Sequence, residues 1–281
     1  VTQDLAMSPS DRPRNVPAAV ATDVDGTRFD YSPYATSYRQ RADYVPAVVT
    51  SVLRTAGVGP GDLVCDIGAG SGHLTVPLLE AELRVDAVEP TASMRAVGQS
   101  RTEGYADVSW YEGTGEESAR PAGVYPLVTF GSSFDRTDRP AALRETARIL
   151  EPSGHFACLW NHRNLEDPLQ ARIEEEIHER VPGFTYGIRR TDQTGLIVAS
   201  GLFETPVTIT GEQVFRLPAE AWCEAWTSHA TLGQQAGAGF GDVLDAIREL
   251  VRKEAGTWID VPYVTRAWIA QRKAPGGKAP R

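Results

Sequence analysis

The sequence predicts an α/β fold, a doubly wound sheet of seven strands with an antiparallel last strand pair and helical cap insertions. Three observations carry this. Short apolar runs alternate with helical patterns from residue 63 to residue 160. The first of these runs ends in a turn with glycine at 68, 70 and 72. Past Trp160 the alternation stops, and helical stretches instead separate two long extended runs.

In chain order, residues 1–26 are rich in Pro, Asp and Ser without periodicity and read as a mobile leader. A helix over 42–56 precedes the first strand, 63–67. Strands follow at 85–89, 108–112, 124–130 and 155–160, with helices starting near Gly72, Thr91, Ser118 and Asp138. Helical patterns then cover 168–180 and 191–200, and an extended run covers 206–217. Helices at 219–229 and 240–254 and a final extended run at 258–271 complete the chain, with a flexible tail over 273–281. The two extended runs complete the sheet as antiparallel strands, and the inserted helices roof a pocket.

The first strand and its turn read Leu63-Val64-Cys65-Asp66-Ile67-Gly68-Ala69-Gly70-Ser71-Gly72-His73. Such a turn lets backbone approach a nucleoside-bearing ligand at the strand's carboxyl end. A dinucleotide turn, G-x-G-x-x-G, needs a third glycine where this chain has His73. A carboxylate beside the turn repels a pyrophosphate but favours an ammonium or sulfonium. The second strand ends at Glu89, about 20 residues past the first glycine, where a carboxylate accepts from both ribose hydroxyls. A ligand-free structural turn at 68–72 and a solvated strand-end Glu89 are the plain alternatives.

The D-x-G-x-G-x-G pattern resembles motif I of the class I S-adenosylmethionine-dependent methyltransferases, whose fold is Rossmann-like. Glu89-Pro90-Thr91-Ala92-Ser93-Met94 is similar to that family's E-P-S-x-x-M. Gly113-Thr114-Gly115-Glu116 is similar to its G-T-A-E beside the adenine, and the passage from Ala142 to His155 to its entry into strand five. Leu159-Trp160-Asn161 resembles the V-W-N strand end of a small-molecule branch active in bacterial specialised metabolism. Upstream, Phe29-Asp30, Tyr38, Arg41 and Tyr44 resemble the N-terminal helix that closes over the cofactor.

The resemblance implies one methyltransferase domain over 27–272, with a lid helix (27–57), a cofactor-binding half (58–161) and a substrate-cap half (162–272). It implies S-adenosyl-L-methionine as cofactor, held by Asp66, Gly68, Gly70, Glu89, Pro90, Gly115, Glu116, Phe130 and Ser132, the last two through backbone. Tyr38 and Arg41 would reach the methionine carboxylate, or else simply pack amphipathically on the lid. After strand four the branch commonly carries a histidine and a tryptophan. This chain has Gly131-Ser132-Ser133-Phe134-Asp135-Arg136 instead, which points to an unusual acceptor. Asp135 and Arg136 are placed at the pocket mouth, against the alternative of a mutual, mechanistically silent surface ion pair.

Methyl transfer needs mainly a nucleophile held in line, and for an oxygen nucleophile a base. His162, directly after strand five, and His229, in the cap, are candidate bases, each also readable as an ordinary histidine; His155 lies at the wrong end of its strand. Trp160, Trp222 and Trp226 are candidate acceptor walls. Trp222 and Trp226 are four apart, so they share a helix face and could equally pack into the cap's core.

Composition bounds the partners. The 281 residues are 41% hydrophobic and carry a formal net charge of −9, which disfavours nucleic acid. No apolar run approaches the ~20 residues that span a bilayer, and the amino end lacks a signal-peptide layout. Cys65, Cys158 and Cys223 form no C-x-x-C pair, so neither a disulfide framework nor a metal site is expected. The expectation is a cytoplasmic monomer or homodimer that methylates O, N or possibly C of a small molecule. The alternatives are a non-methylating reaction such as cyclisation on the same fold, and an NAD(P)-dependent oxidoreductase, which His73 and Asp66 disfavour.

Overall fold

The computed structural model describes residues 41–274. The expected leader, Tyr38 and the tail beyond 274 lie outside the described residues. Seven strands form one sheet in the order β3-β2-β1-β4-β5-β7-β6. β1 (Leu63–Ile67), β2 (Arg84–Val88), β3 (Val108–Tyr111), β4 (Tyr125–Gly131) and β5 (Leu150–Arg163) are parallel. β6 (Val207–Pro218) and β7 (Trp258–Gln271) pair antiparallel, and β7 also pairs antiparallel with β5. The winding reverses between β1 and β4, so a crevice opens at their carboxyl ends.

Strand alternation sorts the side chains to two covered faces. Phe156, Cys158 and Trp160 of β5 join Phe130, Phe134, Phe203 and Trp268 in one core. Their neighbours Ala157 and Leu159 join Val48, Val52, Leu74 and Leu78 in the other. A third core belongs to the cap and includes Ile173, Ile177, Trp222, Trp226, Val243, Ile247 and Val251.

The helices begin and end on local signals. α1 (Pro46–Ala56) starts with proline, whose missing N–H is no loss in a first turn, and stops at Gly57 with φ +70°. α2 (Thr75–Glu80) and α3 (Ala92–Arg101) follow β1 and β2. Asp138 caps α4 (Arg139–Ile149) by accepting from the Ala141 N–H, and Asp167 caps α5 (Pro168–Arg180) through the Gln170 N–H. α6 (Thr194–Ala199), α7 (Ala219–Ala225) and α8 (Ala230–Ala236) are short. α9 (Phe240–Glu254) buries Val243, Leu244, Ile247, Leu250 and Val251, a helical stripe against the cap core. Among the described residues no helix is long and apolar enough to cross a membrane.

Several expectations need correction. No helix follows Ser118; Pro121 interrupts the stretch, and the Ser118 N–H and hydroxyl both donate to Glu145. The first described helix starts at Pro46, not residue 42, because the residue before proline is held extended (Val45 ψ 116°). β5 runs from Leu150 to Arg163, so its last three residues reach the crevice. The helix expected over 191–200 is α6 preceded by a 3₁₀ turn, Gly187–Arg190. Likewise the 219–229 helix ends at Ala225 and tightens into a 3₁₀ turn, Trp226–Ser228.

Candidate cofactor and acceptor site

A cavity of about 220 Å³ lies at the carboxyl ends of β1 and β4, roofed by the cap. Its floor is the glycine turn, where Gly68, Gly70 and Gly72 all have positive φ (+67°, +57° and +82°). The glycines serve different ends. A Cβ on Gly68 would sit 2.4 Å from the Ser133 Cβ, so protein packing, and not ligand approach, demands glycine there. A Cβ on Gly70 would meet Met94 at 3.4 Å and the Gly68 carbonyl at 3.9 Å, both ordinary contacts, and Gly70 lines the cavity.

Glu89 ties the turn to β2. One of its carboxylate oxygens accepts from the Gly70 N–H (2.9 Å) and the other from the Thr91 N–H (2.8 Å). The two bonds fix the carboxylate at the cavity wall. Pro90, Thr91, Met94 and Gly115 also line the cavity. Glu116 does not; its carboxylate accepts from the Asp138 N–H at the start of α4. Phe130 and Ser132 do line it, but the Phe130 ring is buried against Phe134 and Phe156, leaving its backbone for the site. Ser132 takes the rare φ of +55° and bonds the Tyr44 hydroxyl (2.9 Å).

Asp66 differs from the sequence reading. It lines the cavity from a fully buried position, not from an open strand end. The Thr75 hydroxyl (2.8 Å) and the Thr129 hydroxyl (3.0 Å) donate to its carboxylate. Burial raises its pKa to about 7, although the two hydroxyls oppose the rise. His73, which stands in place of a third glycine, is half-buried between Ser71 and the Arg41 carbonyl, and desolvation depresses its pKa to about 3.

On the acceptor side the structure moves two predicted residues out of the cavity. Trp160 is fully buried, edge-on to Trp268 in the core. Its Nε1–H donates to Asp135 (2.9 Å). Asp135 is buried too, not at a mouth, and it faces two guanidiniums, Arg136 at 3.3 Å and Arg189 at 3.7 Å. Trp222 and Trp226 satisfy both sequence alternatives: they pack edge-on at 5.7 Å in the cap core and also line the cavity. Trp226 stacks on His229 (5.5 Å between centroids) and lies under the Arg163 guanidinium, at 4.2 Å.

Both candidate bases line the cavity. His162 shares a hydrogen bond between Nε2 and the Arg189 carbonyl (2.9 Å), so Nε2 carries the proton and Nδ1 is the acceptor. Its pKa is pushed down to about 3, by burial first and then by Arg190 and Arg189. His229 caps α8 by accepting from the Leu232 N–H at Nδ1, and burial holds it well below the ordinary histidine value. Arg41 also lines the cavity, and donates across it to the Ser228 hydroxyl (3.0 Å) and carbonyl (2.7 Å) in the cap. Arg136, expected at the pocket mouth, does line the cavity; sequence reasoning missed Arg163, Arg189, Arg190, Tyr186 and Tyr263, which line it as well.

Residues 64–154 match a methyltransferase domain family. The ubiquinone/menaquinone biosynthesis C-methyltransferase UbiE of Rubrivivax gelatinosus is 34% identical over 108 residues, 38% of this chain and 42% of that protein. The uncharacterised methyltransferase YcgJ of Bacillus subtilis is 30% identical over 122 residues, 42% of this chain and 47% of that one. This chain thus spans about half the length of the curated relatives it matches. The crystal structure of YcgJ superposes with a TM-score of 0.50 at 18% identity, over 82% of this chain and 99% of that chain. A structure from Anaeromyxobacter dehalogenans, proposed to be a type II methyltransferase, reaches 0.59 at 18% identity, over 84% and 99%. The seven-stranded order with its antiparallel last pair is thus the Rossmann-like order of these structures.

Proposed function

We propose that this chain, a class I S-adenosylmethionine-dependent methyltransferase, carries a methyl group to an O, N or C atom of a small biosynthetic intermediate. One observation carries the assignment of roles. Glu89, Gly70 and Asp66 on one side, and Trp226, Tyr186 and His162 on the other, face the same cavity.

The residues fit the cofactor. Glu89 is preorganised by two backbone N–H groups to accept from the ribose hydroxyls. Gly70 leaves room for close approach. Asp66 has no cationic partner within ion-pair distance among the described residues, so an ammonium or sulfonium would favour its charged form. When bound, S-adenosylmethionine supplies a methyl group on an activated sulfonium leaving group.

The protein's part is then to hold the acceptor in line and keep water out, and Trp222 and Trp226 do this with large, rigid faces. His162 and His229 are neutral at pH 7, and His162 presents Nδ1 as a weak proton acceptor. Such weak bases suit a nucleophile that needs little help before attack. Carbon is retained among acceptor atoms because the Rubrivivax relative is named a C-methyltransferase. Calorimetry with S-adenosylhomocysteine and with NADH tests the cofactor. Methyl-labelled S-adenosylmethionine with candidate acceptors tests the transfer. Binding of NADH in place of S-adenosylhomocysteine, or a product without label, refutes the reading.

A further inference from the structure

The acceptor wall is rich in guanidinium and poor in carboxylate. Arg163 is answered by Glu174 and by the Gln170 side chain behind the wall. Arg189 has a share of Asp135, at 3.7 Å, and a long bond from Nη1 to the Thr231 hydroxyl (3.4 Å), while its Nε is buried without a hydrogen-bond partner. Arg190 has no carboxylate within 4.0 Å among the described residues, and its Nε is likewise buried and unbonded. Its other contacts are weak: Nη2 donates to the Arg163 carbonyl at 3.3 Å, and the guanidinium lies 4.5 Å over the Tyr186 ring.

A buried cation without a counterion is a standing penalty, and native proteins keep few of them. Arg190 is such a cation, half-buried; Arg189 beside it shares its one carboxylate with Arg136, and both stand on one 3₁₀ turn facing one cavity, so an anion from outside the chain would complete their compensation. Resting on the methyltransferase reading, we propose that the acceptor carries an anionic group, a carboxylate or a phosphate, seated against Arg189 and Arg190. Planar guanidiniums suit both groups, which they bind through paired N–H donors. The aromatic surfaces beside them, Tyr186, Trp226 and Trp222, suit an acid that also bears a ring.

Burial and these same two arginines hold His162 in its neutral form. An anion at the turn offsets their field and makes Nδ1 of His162 a better proton acceptor once the acceptor is bound.

The test titrates the full chain with 4-hydroxybenzoate, phenyl phosphate and the neutral isostere 4-hydroxybenzamide, with and without S-adenosylhomocysteine. Charge-assisted bonds predict that at least one anion binds about tenfold or more tighter than the amide. The better of the two anions identifies the preferred headgroup. Arg190→Gln should remove the preference, and Arg190→Lys should restore part of it. Because the glutamine variant loses an unanswered buried charge, its Tm should equal or exceed that of the wild type. Equal affinity for acid and amide, no saturable binding of either anion, or an unchanged preference in Arg190→Gln overturns the proposal. Anion binding by a protein that does not bind S-adenosylhomocysteine removes the methyltransferase reading and leaves the anion site standing.

Discussion

Replacing Asp66 by asparagine should make the protein more stable at pH 8 and a worse binder of its cofactor. The side chain is fully buried between two threonine hydroxyls, and its pKa rises from 3.8 to about 7, chiefly by burial. A shift of this size corresponds to about 4 kcal/mol, taken as an order of magnitude. Folding raises this pKa, so the folded state holds the proton more tightly than the unfolded chain. The contribution is therefore complete below pH 3.8, declines as pH rises, and is gone above about pH 7. The isosteric amide never carries the charge. Melting temperatures from pH 4 to pH 8 should show the two proteins close together at the acid end. The Asp66→Asn variant should be ahead at pH 8, by about 2–4 °C for each kcal/mol relieved. In the wild type, a bound cation should draw the proton off, so titrations with S-adenosylmethionine below pH 7 should release protons to the buffer. An equal offset at every pH, or a variant less stable at pH 8, refutes burial as the dominant influence on this carboxylate.

Glu89→Gln should weaken S-adenosylhomocysteine binding by roughly ten- to a hundredfold, with a fall in Tm because the amide has one acceptor oxygen and leaves either the Gly70 or the Thr91 N–H facing its NH2; calorimetry and melting read the two effects separately. Gly68→Ala should destabilise by about 1–3 kcal/mol, through its positive φ and the contact with Ser133, and Ser133→Gly in the same chain should recover part of that in a denaturant titration. Trp226→Phe should keep most of the cap's stability yet change the acceptor's KM, whereas Trp226→Ala should lose about 3–5 kcal/mol and acceptor turnover together, since the indole serves the core and the cavity at once.

Much of this architecture was legible because its signals are local. The run into Gly68 ends β1 where expected, and the heptad-like stripe of α9 and the extended run of β7 match their predicted limits. The place of Glu89 at the cavity was legible from its distance to the turn. Trp160 was misplaced although the alternation held the answer: it shares parity with Phe156 and Cys158, which face the core. Asp66 was read as a strand-end acid, but β1 is flanked by both β2 and β4, so that end is interior. Apart from Arg136, placed by the segment after β4, the arginine wall had no such signal. Arg136, Arg163, Arg189 and Arg190 come from two 3₁₀ turns and a strand end, elements without periodicity, and only the tertiary fold brings them together.

Asp135 limits how this site can diverge. One buried carboxylate takes the Trp160 N–H and faces both Arg136 and Arg189. A mutation that neutralises either arginine leaves that carboxylate less compensated, and breaking a buried pair costs about 3–5 kcal/mol. Most single steps at those positions would therefore be eliminated by instability before any new acceptor could be selected. Arg190 has no such tie to a carboxylate, so it can change without stranding a buried charge. Descendants of this sequence that accept other substrates should differ first at 190, while 135, 136, 160 and 189 change together or not at all.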